Sequence, residues 1–246
     1  MIRRGGAAAA LRTSEEGEMS IGMVLLAGGV GKRMGKPAPK QFLLLGGKPL
    51  IIHVAEAISG IDSIGEIVVT CPAEHIDDTA ALLRNHGLDR RIRCVAGGAS
   101  RQESVRLGLA ALSACDTVII HEAVRPLVSS AEFQALIADA APNAFYGIPI
   151  PFTVLRGRDK VEGILDRDEL VNVQLPQKFA YAPLVKAHAE AAAAGESYTE
   201  DASLFYARGA GEVKILKGSE RNLKITHPSD LITAEALYAD WRGGGG

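Results

Sequence analysis

Aromatic residues are scarce. Phe, Trp and Tyr make up 5% of the 246 residues, too few for the stacking platforms on which single-stranded nucleic acids lie. A basic excess is also missing: the formal net charge is −2, which removes the electrostatic footprint of a nucleic-acid binder. Cysteine is represented by Cys71, Cys94 and Cys115 alone, far apart and without a C-x-x-C pair. Neither a zinc ribbon nor a disulfide framework follows from that spacing. The three read as small buried apolar side chains in a reducing, cytoplasmic setting. No apolar run reaches the length of a membrane span, so a membrane is not an expected partner. The histidines lack ligand spacing: after His121-Glu122, an H-E-x-x-H motif needs histidine at position 125 and finds Arg125.

What is present is a globular composition, 47% hydrophobic, on a chain long enough for one domain with a substantial core. Its organising stretch is Met23 to Lys40. A short apolar run, Met23 to Ala27, ends in Gly28-Gly29, and the loop beyond carries Gly31, Gly35, Lys32, Arg33, Lys36 and Lys40. Such a run bounded by glycine predicts a buried parallel strand. A glycine turn after it lets backbone N–H groups approach a phosphate. The dinucleotide pattern fails because Met34 stands at its third glycine, and the P-loop pattern fails because Arg33 follows Gly31-Lys32.

Strand and helix patterns then alternate. Strands are expected at 66–71, 92–95, 117–120, 145–150 and 212–216. Helices are expected at 49–59, 74–86, 100–114, 130–140, 183–194, 199–207 and 228–241, with Ser100 to Glu103 as a capping box. This alternation predicts an α/β fold with a parallel sheet. From Pro151 to Leu175 the pattern breaks, as for an excursion from the core. Residues 1–20 read as a disordered extension, with Met19 or Met23 as the natural start. A single domain is expected over 21–242.

Ligands in doubly wound sheets bind beyond the carboxyl ends of the strands. That rule selects Gly28 to Lys40, Gly97 to Ser104, and His121 to Pro126. Glu122 at a strand end suits a metal or acceptor ligand; an ion pair with Arg125 that shapes the turn is the alternative. Ser104 reaches a ligand or packs inside its helix. Thr199-Glu200-Asp201 opens a helix as a cap, and Lys224 sits among extended apolar residues, where lysine usually snorkels outward.

Taken together, LAGGVGKRMG with PKQF, GGASRQESV, HEAVRP, LPQKF, TEDAS and NLKIT resemble, in order, the cytidylyltransferases acting on 2-C-methyl-D-erythritol 4-phosphate, and equally those acting on ribitol 5-phosphate. The likeness runs from about Met23 to Trp241. It implies a doubly wound, mostly parallel, Rossmann-like nucleotidyltransferase fold with a protruding β-arm, about 152–176, that forms a homodimer. The implied reaction joins CTP and a polyol phosphate into a CDP-polyol and pyrophosphate, with Mg²⁺. Carried over, Ala27, Gly28, Gly29, Arg33 and Lys40 would hold the CTP phosphates. Gly97, Gly98 and Ser104 would surround cytosine and ribose. Glu122, Thr153 and Arg167 would meet the acceptor, Glu122 would also be the metal ligand, and Lys224 would neutralise charge at the reacting centre with Arg33 and Lys40.

Several positions depart from the family pattern. Glu122 stands where Asp is usual, Ala99 where the loop is often acidic, Leu175 where Thr precedes Pro-Gln, and Arg221 where Asp is frequent. Phe152-Thr153-Val154-Leu155 lacks the two charges of the usual acceptor motif. The departures cluster on the acceptor side, so CTP use is better marked than the acceptor, and another phosphate or phosphonate acceptor is an alternative. An NAD(P)-dependent oxidoreductase and a non-catalytic nucleotide-binding relative are the competing classes.

Overall fold

The structure is a computed structural model and describes residues 20–29 and 39–243. The expected N-terminal extension, apart from Ser20, lies outside the described residues, as does Arg33 with the middle of the cationic loop.

In chain order the strands are β1 (Ile21–Leu26), β2 (Leu44–Leu45), β3 (Lys48–Pro49), β4 (Ile64–Cys71), β5 (Ile92–Ala96), β6 (Thr117–Glu122), β7 (Ala144–Pro149), β8 (Val154–Gly157), β9 (Val161–Leu165), β10 (Val171–Ala180) and β11 (Lys214–Lys217). The helices are α1 (Leu50–Ser59), α2 (Ile76–Asn85), α3 (Arg101–Ala111), α4 (Ser130–Ala138), α5 (Tyr181–Ala193), α6 (Asp201–Ala207) and α7 (Pro228–Gly243). Seven strands form one sheet in the order β11-β7-β10-β6-β1-β4-β5. Every pairing in it is parallel except those of β10, which runs antiparallel to β6 and β7. This is the mostly parallel, Rossmann-like α/β sheet.

The strand period divides the core in two. Met23 and Leu25 of β1 point into one cluster with Ile51, Val54, Leu83 and Phe133, under α1, α2 and α4. Val24 and Leu26 point the other way, onto Val105, Leu109, Leu184 and Phe205 of α3, α5 and α6. Successive side chains leave a strand on opposite faces, so a central strand covered on both sides must be apolar throughout. All six residues of β1 and of β6 are buried. Helix α3 lies close on β1: a Cβ at Gly108 would stand 2.5 Å from Val24 Cγ1.

The expected helix and strand positions recur with ends shifted by a few residues. The 3-10 turn Ala73–His75 precedes α2. The short β2–β3 hairpin is an addition beside the sheet, and β10 is the addition within it. Residues 171–175, expected in the excursion, belong to the main sheet, where Val171 pairs with Pro149 of β7. The protruding hairpin is therefore confined to β8 and β9, paired antiparallel from Val154–Leu165 to Gly157–Val161. The segment Leu223–Thr226 forms no ladder but is tied by Ile225 N donating to Val124 O at 2.9 Å.

Candidate active site

The carboxyl ends of β1 and β6 are adjacent, Leu26 opposite Glu122, and the cleft opens there. It has a volume of about 260 Å³. Gly28 and Gly29 form one wall, Gly98 to Arg101 another, and Lys224 to Thr226 a third. Both ends of the cationic loop are fixed, since Lys40 N donates to Gly29 O at 2.9 Å. The Lys40 side chain is buried and its Nζ donates to Thr226 O at 2.8 Å, which links the glycine turn to the Lys224 segment.

The second wall is built from α3 outward. Ser100 caps the helix by accepting from Glu103 N at 3.0 Å. Glu103 reaches back to Ala99 N at 2.8 Å rather than to the cap residue itself, a variant of the expected box. Ser104 accepts from Gly98 N at 3.1 Å and donates to Ser100 O at 2.8 Å. Its hydroxyl thus braces the glycine turn whose backbone faces the cleft. A Cβ at Gly98 would collide with the Glu103 side chain at 2.2 Å.

Glu122 is the electrostatic centre, only 4% exposed. Its Oε1 accepts from Lys224 Nζ at 2.9 Å and from Arg101 Nε at 3.1 Å. Its Oε2 faces Arg125 Nε at 3.4 Å. Burial pushes the carboxyl up, but Lys224, Arg101 and Arg125 outweigh it and hold the group at about 2. Arg101 also contacts Asp201 Oδ2 at 2.8 Å and Glu200 Oε2 at 3.2 Å. Burial works against its charge, but Asp201, Glu200 and Glu122 raise its pKa. Glu200 is raised, by burial first and by Glu122 and Asp201 next, with Arg101 opposing.

Of the residues marked in the sequence, Gly28, Gly29, Lys40, Gly98, Ser104, Glu122 and Lys224 line this one cleft. Ala27 and Gly97 lie behind it, their N–H groups bonded to Thr70 O and Cys71 O at 2.8 Å. Thr153 and Arg167 lie outside it; Arg167 Nη1 donates to Pro151 O at 3.1 Å at the base of the hairpin. His121 is structural: it is buried, edge-on to Phe133 at 5.1 Å, and lowered to about 3 by burial and Arg125.

Glu122 does not suit the metal role. Both of its oxygens face cations, so a further cation would meet three like charges before reaching it. Among the described residues no group of three or more His, Cys, Asp or Glu is placed to hold a metal ion. Arg101 and Asp201 are the functional candidates that went unmarked. Both sit inside quoted motifs, but the capping box explained one and the helix start the other.

A second cavity, about 1020 Å³, lies between the sheet and the base of the hairpin. Phe152, Asn172, Glu200 and Lys217 line it, and Lys224 stands on the wall of both cavities. The arrangement offers backbone amides and fixed cations on one side and a mixed polar and apolar chamber on the other.

The IspD family profile, described as 2-C-methyl-D-erythritol 4-phosphate cytidylyltransferase, matches residues 21–240. Enzymes of that name from Halalkalibacterium halodurans and Geobacillus thermodenitrificans are 36% and 38% identical, each alignment covering 90% of this chain and 98% of the relative. Among solved structures, 4-diphosphocytidyl-2C-methyl-D-erythritol synthase from Anaerococcus prevotii superposes with a TM-score of 0.80 at 26% identity, covering 90% of this chain and 97% of that one. The 2-C-methyl-D-erythritol 4-phosphate cytidylyltransferase of Thermus thermophilus gives a TM-score of 0.72 at 31% identity, over 88% and 98%. With the matched stretch spanning all three walls of the cleft, the chain belongs to the 2-C-methyl-D-erythritol 4-phosphate cytidylyltransferase family.

Proposed function

We propose that this protein transfers the cytidylyl group of CTP to 2-C-methyl-D-erythritol 4-phosphate, releasing pyrophosphate. The carrying observation is the position of Lys224 on the wall shared by the two cavities. A nucleoside triphosphate laid against Gly28, Gly29 and Lys40 would bring its α-phosphorus toward that lysine, and an acceptor phosphate in the larger cavity would approach from the opposite side.

The chemistry follows from charge. An acceptor phosphate oxygen attacks the α-phosphorus in line; the new P–O bond forms as the bond to the bridging oxygen breaks, and pyrophosphate leaves with the electron pair. Two anions must meet, and fixed cations in a shielded cleft reduce that cost without reorganising. Lys224 and Arg101 serve there because Glu122 holds both in place. The attacking phosphate is already ionised near neutral pH, so no strong general base is required. No step is assigned to Mg²⁺, since Glu122 does not fit as its ligand.

Thr153 and Arg167 would take part as acceptor contacts only if the hairpin of a second copy reached the larger cavity. Exposed apolar residues on that hairpin, Ile164 at 77% and Val161 at 64%, favour such a homodimer. The family likeness favours 2-C-methyl-D-erythritol 4-phosphate over ribitol 5-phosphate. Pyrophosphate release from CTP, followed with each acceptor in turn, tests the reading. Turnover with the methylerythritol phosphate at a kcat/KM well above that with ribitol 5-phosphate is expected. No pyrophosphate with either would overturn it.

A further inference from the structure

A second buried acid stands behind the cleft. Asp201, the first residue of α6, is 1% exposed; its Oδ1 is hydrogen-bonded, and its Oδ2 meets a cation as an ion pair outside hydrogen-bond geometry. His188 Nε2 lies 3.0 Å from Oδ1, and Arg101 Nη2 lies 2.8 Å from Oδ2. From Arg101 the contacts continue through Nε to Glu122 Oε1 and, from that same oxygen, to Lys224 Nζ. Four contacts thus join a fully buried histidine on α5 to the lysine between the two cavities.

The protonation of this line is fixed by its geometry. Asp201 is pushed up by burial, but Arg101 and His188 bring it down to about 2, so it is ionised and only accepts. His188 must therefore carry a proton on Nε2. Its Nδ1 is buried and has no hydrogen-bond partner among the described residues. A proton there would strand a buried donor. Around it, Arg101, Arg125 and Lys224 balance Glu122, Glu200 and Asp201.

We propose that His188 is a positioning residue for the transfer reaction: by holding Asp201 it sets the angle at which Arg101 faces the nucleotide cleft. A guanidinium is a rigid planar fork, so fixing Nε on Glu122 and Nη2 on Asp201 directs the remaining edge. Without the His188 donor, Oδ1 would face the apolar core unsatisfied. The carboxylate could then turn and leave Nη2 to Glu200, the competing partner at 3.2 Å. His188 lies outside the cleft and acts only through Asp201.

The test compares His188→Gln, which can place an N–H near the Nε2 position, with His188→Leu, which cannot. In the full-length protein, His188→Leu should lower kcat by about tenfold, since small misplacements of reacting groups are costly. The KM for the acceptor should change little, and His188→Gln should recover most of the loss. Asp201→Asn combined with His188→Leu should be no worse than Asp201→Asn alone, because the two act in series. Should His188→Leu fail to fold, His188→Met, which also lacks an N–H donor, replaces it. Unchanged kcat in the folded donor-free variant, or multiplicative losses in the double variant, would overturn the proposal. It rests on the cytidylyl-transfer reading, but the two fail separately. A wild type without turnover removes that reading, whereas the Arg101 Nε–H signal by ¹⁵N NMR reports positioning without any turnover. That signal should broaden in the donor-free variant and stay sharp in His188→Gln; no difference between them would again refute it.

Discussion

Lys224 and Glu122 stand 102 residues apart in the chain, and their side chains meet at 2.9 Å. The contact joins the segment before α7 to the tip of β6. It turns a lysine that would otherwise reach for solvent into a cation fixed between two cavities. Lys224→Ala should therefore lower kcat by about 10²- to 10³-fold, the scale for losing one preorganised charge contact. Its thermal midpoint should also fall, since Glu122 loses the first of its three cations, but by less than when Glu122 itself is neutralised, because Arg101 and Arg125 remain. Steady-state pyrophosphate release and a melting curve check both halves.

The acid at position 122 should matter by charge more than by length. Glu122→Gln leaves Arg101, Arg125 and Lys224 without their shared counter-charge, and breaking a buried pair on one side costs about 3–5 kcal/mol. Glu122→Asp keeps the charge and withdraws it by about 1.5 Å, one C–C bond. The expected order of both urea stability and kcat is wild type, then Glu122→Asp, then Glu122→Gln. A glutamine variant as stable as the aspartate variant would contradict it.

Lys40 connects two cleft walls through Thr226 O. Lys40→Ala should reduce kcat/KM for CTP by at least about tenfold, as expected for a charge-assisted phosphate contact worth about 1.5–3 kcal/mol. The KM of the acceptor should move less. Equal loss on both substrates would place Lys40 outside the nucleotide side.

Stability should fall with acid in two stages. His121 is held at about 3 in the fold against 6.5 when exposed, so the unfolded chain binds the extra proton between those values. Its contribution is complete above about pH 6.5 and is lost as pH falls toward 3. Glu122, at about 2 against 4.5, adds a second loss that begins below about pH 4.5. His121→Gln should flatten the upper stage, leaving a residual slope from His53, which burial also lowers. Urea midpoints from pH 7 to 3 measure the profile.

If the hairpin joins two copies, Ile164→Glu should convert a dimer to monomers, since the side chain is 77% exposed in the single chain. Sedimentation at several concentrations reads this directly. A wild type that is monomeric throughout would remove the homodimer from the proposed function.

The parallel core was readable because its strands are short apolar runs closed by Gly or Pro, as at Cys71-Pro72 and Ala27-Gly28. β10 was not readable. Pro176 interrupts it, and proline inside a run argues against a central strand. Gln174 and Gln177 also read as polar breaks, although both are buried. In the fold they are satisfied at long range, Gln177 by Glu200 at 3.0 Å and Gln174 by Ser219 O at 2.8 Å. The cleft was legible where it rests on local patterns, the glycine turns and Lys40 at the end of the loop. Arg101 and Asp201 escaped because their meaning lies in a contact across about a hundred residues, and each already had a sufficient local explanation at a helix start.

The hairpin of β8 and β9 leaves the sheet at Pro149 and returns at Val171, and those two residues are already paired partners on neighbouring strands. Its two roots are thus a single ladder step apart. The projection springs from two interior strands whose ladder closes without it: a tight turn could replace residues 150–170 with every rung of the seven-stranded sheet preserved. The sheet therefore sets little limit on its length, and what constrains it is the site: Phe152 lines the larger cavity, and the acceptor contacts proposed for Thr153 and Arg167 lie on the same excursion.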